Sequence, residues 1–149
     1  MRRLIQFAAL LALSVAATGL RASPPDNKTP EQQALESIAS QAQPREQCFL
    51  YAMFVRQMTE LSSQQYAAGN VEVADRLLRQ VQLATKKIHL SLANNDKHLK
   101  DAEILLHNAA FRLNEMLQAS DFEDRPLVEQ TLAQVNQAQS ETMLQVFSK

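Results

Sequence analysis

The chain has 149 residues, the size of one domain, and its composition excludes several protein classes. Two glycines, no tryptophan and a single cysteine argue against sandwiches, barrels and glycine-rich phosphate loops, and leave no disulfide scaffold or Cys-rich zinc module. Hydrophobic residues make up 46% and charged residues 21% of the chain, which is typical of a globular protein stabilised by an apolar core.

The N-terminus has the three-part layout of a secretory signal peptide. A positive start is followed by an apolar run over residues 4–17 and then by small residues, with a cleavage point between Gly19 and Ala22. We expect residues 1–22 to be a signal peptide and residues 23–29 to be a flexible, proline-rich leader. An uncleaved anchor is the alternative. No second stretch of membrane length follows, so we expect no membrane span after cleavage and a periplasmic or secreted protein.

The net charge argues against two kinds of partner. Cleavage would remove three arginines and no acids, and so leave 12 basic and 16 acidic side chains, a net charge of −4. A mildly acidic chain lacks the basic surface that nucleic acids require, and it does not favour electrostatic binding to a membrane surface.

The first predicted helix spans about 30–42. Thr29 supplies an N-cap acceptor, Pro30 suits the first helical position, and Gln32 stands where the second partner of a capping box belongs. Pro44 ends this helix, because a proline excludes the preceding residue from helical conformation.

The second predicted helix spans about 44–68. Its apolar residues recur three and four positions apart, as expected for an amphipathic helix: Tyr51, Phe54, Met58 and Leu61. Gly69 and Asn70 are predicted to form the turn that ends it, because both residue types tolerate the left-handed conformation of a helix terminus.

The third predicted helix is the longest and spans about 71–119. Apolar positions alternate in steps of four and three through Met116, which is heptad spacing, and the phase continues across Asn94, Asn95 and Asp96. We therefore predict an all-α fold of antiparallel, coiled-coil-like hairpins around one long central helix, with this Asn-Asn-Asp segment fixing the register. The alternative is a loop at 94–96 and a compact up-and-down four-helix bundle.

A last helix is predicted over about 126–147, and the helical domain then spans residues 30–149. Phe122, in the preceding loop, is expected to anchor that loop to the core. The inward residues of this helix are predicted to be Val128, Leu132, Val135, Ala138, Met143 and Val146. An elongated arrangement would leave six flanking apolar side chains in need of cover by the N-terminal helix or by self-association: Leu77, Leu83, Leu90, Ile104, Leu105 and Phe111.

Cys48 has two interpretations. It lies near the start of the helix predicted from Pro44, where the dipole favours a reactive thiolate, and an odd cysteine in an exported protein often forms an intermolecular disulfide. The other interpretation is a small apolar residue that flanks the core, one turn from Tyr51 and Ala52.

The three histidines do not suggest a metal site. His89, His98 and His107 are nine residues apart, so on one continuous helix neighbouring histidines point to opposite sides. A loop at 94–96 would let His89 and His98 approach each other, but no cysteine or carboxylate set at ligand spacing completes a site. We interpret His107 and Glu103 as a surface pair.

Motifs for catalysis or cofactor binding are not recognised. The sequence has no Ser-His-Asp signature, no phosphate loop and no haem-attachment motif. We therefore predict no catalytic, cofactor-binding or metal-binding residues and no enzyme activity.

Residues 58–81 resemble a single tetratricopeptide-like helical hairpin. The resemblance is carried by Met58, Leu61, Ser62, Tyr66, Gly69, Asn70, Glu72, Ala74, Leu78 and Val81. In that family, small residues near the positions of Ser62 and Ala74 let two helices approach closely, and a glycine at the position of Gly69 supplies the turn. The resemblance implies protein or peptide binding. The family's proline after the second helix is missing, since Lys86 stands near that position, and nothing similar recurs 34 residues later.

The sequence as a whole predicts an exported, non-enzymatic helical module for protein interaction or for structure in the cell envelope. Its expected partner is a protein, including a second copy in a homo-oligomer. The alternative is a helical bundle that carries a metal, haem or lipid between its helices.

Overall fold

A computed structural model describes residues 28–94 and 97–148, and this part of the chain is a bundle of five α-helices. The helices are α1 (Pro30–Gln41), α2 (Gln47–Ala67), α3 (Val71–Ser91), α4 (Leu99–Ala119) and α5 (Arg125–Phe147). Short 3₁₀ turns precede α2 and follow α3. The predicted all-α class is therefore confirmed. The predicted signal peptide over 1–22 and the leader, up to residue 27, lie outside the described residues.

Helix α1 begins with the predicted capping box. The Thr29 hydroxyl accepts a hydrogen bond from the Gln32 backbone amide (3.3 Å), and the Gln32 side chain accepts one from the Thr29 amide (3.1 Å). Pro30 occupies the first turn, where a missing N–H costs nothing. The helix packs on α2 and α3, and Leu35 is its buried residue.

The turn between α2 and α3 depends on Gly69. Its φ of 80° is left-handed, and its N–H bonds to the Tyr66 carbonyl (3.0 Å) while the Asn70 N–H bonds to the Gln65 carbonyl (2.9 Å). These two bonds form a Schellman motif. A Cβ at residue 69 would meet no atom within 4 Å, so the backbone angle and not the space favours glycine here.

The prediction of one continuous helix over 71–119 is wrong. Helix α3 ends at Ser91, a 3₁₀ turn follows at Leu92–Asn94, and α4 begins at Leu99. The heptad phase survives because both halves line the same core, where Leu92 and Leu99 are both buried. Two helices that pack around one core need the same spacing of apolar residues as one continuous helix. The heptad repeat therefore does not distinguish a broken helix from a continuous one.

The segment before α4 is held against the start of α2. The Lys97 amide donates to the Arg45 carbonyl (3.4 Å), and its ammonium group forms an ion pair with Glu46. His98 has a φ of 60°, and its ring lies 5.1 Å from that of Phe49, centroid to centroid. A left-handed residue at this point is incompatible with a continuing α-helix. The side chains of Asn94, Asn95 and Asp96, the predicted register or hinge, lie outside the described residues.

The helices form two hairpins that lie side by side. Helix α2 packs on α3 and α4, and α5 packs on the same two helices, so α3 and α4 occupy opposite corners. Helices α2 and α4 run parallel, since Glu46 pairs with Lys97 just before both helices begin and Glu60 pairs with Arg112 further along. Helix α3 runs parallel to α5, since Gln82 pairs with Thr131 and, further along both helices, His89 pairs with Glu141. The helix directions alternate as in the predicted alternative, but the chain crosses the bundle diagonally from α3 to α4.

The core is formed by one contiguous set of apolar side chains. Its largest fully buried apolar members are Leu78, Ile88, Leu106, Leu113, Val55, Val81, Val128 and Val135. On α5 the inward positions differ from the prediction, because Thr131 and Thr142 are buried while Met143 is exposed. Each threonine hydroxyl donates to a carbonyl of its own helix at 2.7 Å, which satisfies the buried donor. Phe122 is 90% exposed, so the prediction that it anchors its loop is also wrong.

A distance measurement distinguishes the bundle from the continuous helix. Spin labels at Arg79→Cys and Asn114→Cys, in a chain with Cys48→Ala, would lie about 52 Å apart on one helix at 1.5 Å per residue. In the bundle we expect less than about 35 Å, because α4 runs back antiparallel to α3, and the axes of these two diagonal helices are about 11–14 Å apart where adjacent axes are about 8–10 Å apart. Pulsed electron paramagnetic resonance reports this distance, and a maximum near 50 Å would contradict the bundle.

Candidate interaction surfaces

Four of the six flanking apolar side chains that needed cover are exposed in the structure. Leu77 is buried and Leu105 is half-buried, so the bundle itself covers these two. The four exposed side chains, Leu83, Leu90, Ile104 and Phe111, form two pairs. One pair lies on α3 and the other on α4, and the members of each are seven residues apart, which places them on the same side of their helix. Helix α5 adds three more exposed apolar side chains near its C-terminus: Met143, Leu144 and Phe147.

A groove of about 400 Å³ runs between α3 and α5. It is lined by Thr85, Lys86, His89, Leu90, Gln134, Gln137, Ala138 and Glu141. His89 Nδ1 lies 2.7 Å from the Glu141 carboxylate, which also accepts a hydrogen bond from Gln137 at 2.9 Å. Burial raises the pKa of Glu141, but the bonds from His89 and Gln137 outweigh it and leave the pKa below its usual value. The carboxylate is therefore held in its charged form against the wall of the groove.

The end of the bundle that holds the turns after α2 and after α4 is acidic. The turn after α4 lies beside the end of α2, and together they border a groove of about 470 Å³ that includes Tyr66 and Asp124. The Tyr66 hydroxyl donates a hydrogen bond to Asp75. Burial, with Asp75, Asp121 and Glu123 nearby, raises the pKa of Asp124, because a further negative charge is unfavourable among these acids. This end therefore carries an excess of negative charge.

The outer edges of α2 and α4 are joined by an ion pair. The Arg112 guanidinium donates two hydrogen bonds to Glu60, both at 2.9 Å, and one to Glu115 at 3.0 Å. The bond from Arg112 lowers the pKa of Glu60. All three side chains are 40–50% exposed, so the pair contributes little to stability and mainly fixes the register of the two hairpins.

The three histidines lie in three different places. His89 pairs with Glu141 on α5, and His98 lies against Phe49 and 3.4 Å from Asp101. His107 Nδ1 is 3.2 Å from the Gln139 side chain, which also donates to Glu103 at 2.9 Å. His107 and Glu103 are therefore joined through a glutamine that the sequence did not suggest.

Cys48 lies in the core with an exposed fraction of 0%. Burial raises the pKa of its thiol to about 11, and a hydrogen bond with Thr142 on α5 opposes this effect only in part. A buried, protonated thiol is inert. The structure therefore favours the interpretation as a small core residue, because an intermolecular disulfide would require this end of the bundle to open.

The tetratricopeptide-like segment forms a close helical hairpin. Ser62 is fully buried, and its hydroxyl donates to the Ala74 carbonyl at 2.9 Å across the two helices. Gly69 and Asn70 occupy the turn, as the resemblance implies. A second hairpin lies parallel to it about 50 residues further along the chain, not 34, as the pairs of Glu60 with Arg112 and of Gln82 with Thr131 show.

Comparisons with known proteins assign no family to the chain. No family model matches the sequence, and searches of curated proteins and of solved structures find no match either. Among the residues that the structure describes, no three His, Cys, Asp or Glu side chains are grouped to hold a metal ion. Within residues 28–94 and 97–148, no helix is both long and apolar enough to cross a bilayer.

The charge of α3 is a feature that the sequence-based prediction does not include. Its exposed face carries four cations, namely Arg76, Arg79, Lys86 and Lys87. No acidic residue occurs between residues 76 and 94. In the sequence, these basic residues recur at spacings that place them on one side of a helix. The net charge of the whole chain does not reveal this basic face, because it is a sum that also includes the acidic end of the bundle.

Proposed function

We propose that this protein is an exported, non-enzymatic helical module of the cell envelope that binds protein through the outer faces of its helices. The observation that carries the proposal is the set of exposed apolar side chains on α3, α4 and α5. Full burial of such a side chain contributes about 1.5–3 kcal/mol relative to full exposure, and these side chains, which are 41–79% exposed, would contribute the corresponding part in a complex, before the costs of association. The tetratricopeptide-like hairpin adds support, since that resemblance implies protein or peptide binding.

The proposal of export rests on the N-terminal sequence. A positive start, an apolar run over 4–17 and small residues before Ala22 form the pattern of a cleaved signal. We expect the protein purified from its native cell to lack its first 19 to 22 residues by intact mass. A full-length mass in the cytosolic fraction would contradict export.

Site-specific photo-cross-linking in the native cell tests the proposed binding. A photoreactive amino acid at Leu90 or Leu144 is expected to give discrete, protein-containing products of higher mass at one or both positions. Gln130 is the matched control, because it is exposed on α5 but polar. Products that are the same at Gln130, or no products at either apolar position, would contradict a protein-binding function.

The ligand-carrying alternative makes a different prediction. A bundle that carries a metal, haem or lipid would retain it at a fixed ratio when purified gently from the native compartment. Absorbance spectra, metal analysis and lipid extraction of that preparation measure the ratio. One equivalent of any such ligand per chain would favour the alternative over protein binding.

A further inference from the structure

The exposed face of α3 combines apolar and basic side chains. Leu83 and Leu90 are 45% and 74% exposed and lie on the same side of the helix, two turns apart. Arg79, Lys86 and Lys87 flank them and are exposed as well. In the part of the chain that the structure describes, none of these three cations forms an ion pair. This face is therefore suited to an occupant that is both apolar and acidic.

A hollow beside Leu90 provides room for such an occupant. The groove between α3 and α5 has Leu90 and Ala138 among its apolar lining, with Lys86 beside them. Among the described residues that line the groove, Glu141 is the one acid, and its carboxylate is engaged by His89 and Gln137. The groove therefore presents an apolar wall, a cation, and a carboxylate that already has hydrogen-bond partners in the same chain.

The turn between α4 and α5 has the complementary chemistry. The Asp124 N–H bonds to the Asp121 carbonyl at 3.2 Å and closes a β-turn that places Phe122 at its tip. Phe122 is 90% exposed, which is the highest value among the exposed large apolar side chains of the described residues, and three acids surround it in sequence. We call residues 121–124 the Phe122 turn. An exposed aromatic residue between carboxylates matches an apolar surface between cations.

The two surfaces cannot meet within one chain. The Phe122 turn lies at the end of the bundle that holds Tyr66, Asp75 and the turn at Gly69. Leu90 lies near the other end of α3, fifteen residues beyond Asp75, which corresponds to about 22 Å along the helix axis. A contact between the two surfaces must therefore join different molecules.

We infer that the Phe122 turn of one copy docks on the α3 face of a second copy, with Phe122 beside Leu90 and the carboxylates of the turn opposite Lys86 and Lys87. This inference rests on the proposed protein-binding function and names a second copy of the chain as the protein that is bound. The contact is heterologous, since each copy contributes a different surface. Each copy therefore keeps one surface available, and association continues beyond the dimer unless a ring closes.

Sedimentation velocity of the purified protein tests this contact. We expect mass to increase with protein concentration at 50 mM salt and to fall at 500 mM salt, because exposed charges are screened. Phe122→Ser and Leu90→Ser should each lower the association constant at least tenfold, since aromatic and apolar anchors dominate interfaces. Met53→Ser, which changes an exposed apolar residue on α2 outside the proposed binding faces, should leave the association constant unchanged.

Mixing the two variants identifies the geometry. Phe122→Ser retains its α3 face and Leu90→Ser retains its Phe122 turn, so a 1:1 mixture should form a dimer that grows no further. Lys86→Glu mixed with Glu123→Lys, each impaired alone, should likewise recover association. Circular dichroism checks that all four variants are folded. If the mixtures stay monomeric, or if the wild-type chain is monomeric at every concentration, the inference is overturned.

Two further results would overturn the inference, and the first of them leaves the proposed function standing. If Leu90 cross-links only a different protein in the cell and the purified chain stays monomeric, the protein-binding function stands and self-docking fails. If the α3 face instead binds vesicles that contain phosphatidylglycerol, with Phe122→Ser unaffected, a lipid surface is its occupant. Cross-links between copies through residues 83–90 and 121–124 would support both proposals.

Discussion

Leu106→Ala is expected to lower the free energy of unfolding by about 2–5 kcal/mol. Leu106 is fully buried near the middle of α4, in the single core that all the hairpin helices share. The substitution removes apolar contacts and leaves a cavity that the four packed helices fill only in part. A loss of this size is a large share of the total stability of about 5–15 kcal/mol for a domain. Urea denaturation followed by circular dichroism measures it.

Leu144→Ala is the matched control for this substitution. It makes the same chemical change on α5, but Leu144 is 71% exposed. We expect its effect on the free energy of unfolding to stay within about 0.5 kcal/mol. Equal losses for the two variants would show that Leu106 does not lie in the core. Self-docking of the chain does not affect the comparison when both variants are measured at the same low concentration.

The Cys48 thiol is expected to react with iodoacetamide at least about a hundredfold more slowly in the folded protein than in the unfolded chain at pH 8. Its pKa is raised to about 11 from an ordinary value of 9.0, so the reactive thiolate is about a hundredfold scarcer. Burial adds a second, steric barrier. Mass spectrometry of samples quenched over time, with and without urea, gives the two rates.

The same thiol makes stability depend on pH. Because the thiol keeps its proton to a higher pH when it is folded, the unfolded chain releases the proton first, and stability falls as pH rises from about 9 to 11. Cys48→Ala removes this contribution, so its stability should decline less over that range. Equal reactivity of folded and unfolded protein would show that the thiol is exposed and would restore the intermolecular disulfide as an explanation.

The features that could be predicted from the sequence are those set by neighbouring residues. The capping box of Thr29 and Gln32 and the turn at Gly69 each depend on a few adjacent positions with a strong backbone preference. The all-α class follows from helical periodicity in a chain that has two glycines. Local rules suffice for such features, because their stabilising contacts lie within six residues.

The break between α3 and α4 could not be predicted in this way, because distant residues stabilise it. Lys97 pairs with Glu46 and the His98 ring lies on Phe49, contacts between positions about 50 residues apart. His98 also adopts a left-handed conformation, which is uncommon for a residue other than glycine. The tertiary contacts override the continuous apolar pattern, which is satisfied equally well by two helices around one core.

The candidate surfaces were predicted in part. The need to cover Leu83, Leu90 and Phe111 followed from the pattern, and the structure leaves these side chains exposed. The aromatic Phe122 is predicted to anchor its loop to the core, and the predicted inward residues of the last helix do not include the polar Thr131. Hydrophobicity alone does not predict the burial of either residue. A threonine whose hydroxyl donates to a carbonyl of its own helix is readily buried, and an aromatic residue in a turn stays exposed when no other part of the chain packs against it.

The parallel placement of the two hairpins has a consequence for synthesis. Helices α2 and α3 follow each other directly and can form a hairpin as soon as both have been made. The faces that they turn toward α4 and α5 stay uncovered until about 50 more residues follow. At about 5–20 residues per second this interval lasts about 3–10 s. During that time the nascent chain exposes the core-facing apolar side chains of α2 and α3, so a chaperone that shields them would act at this stage.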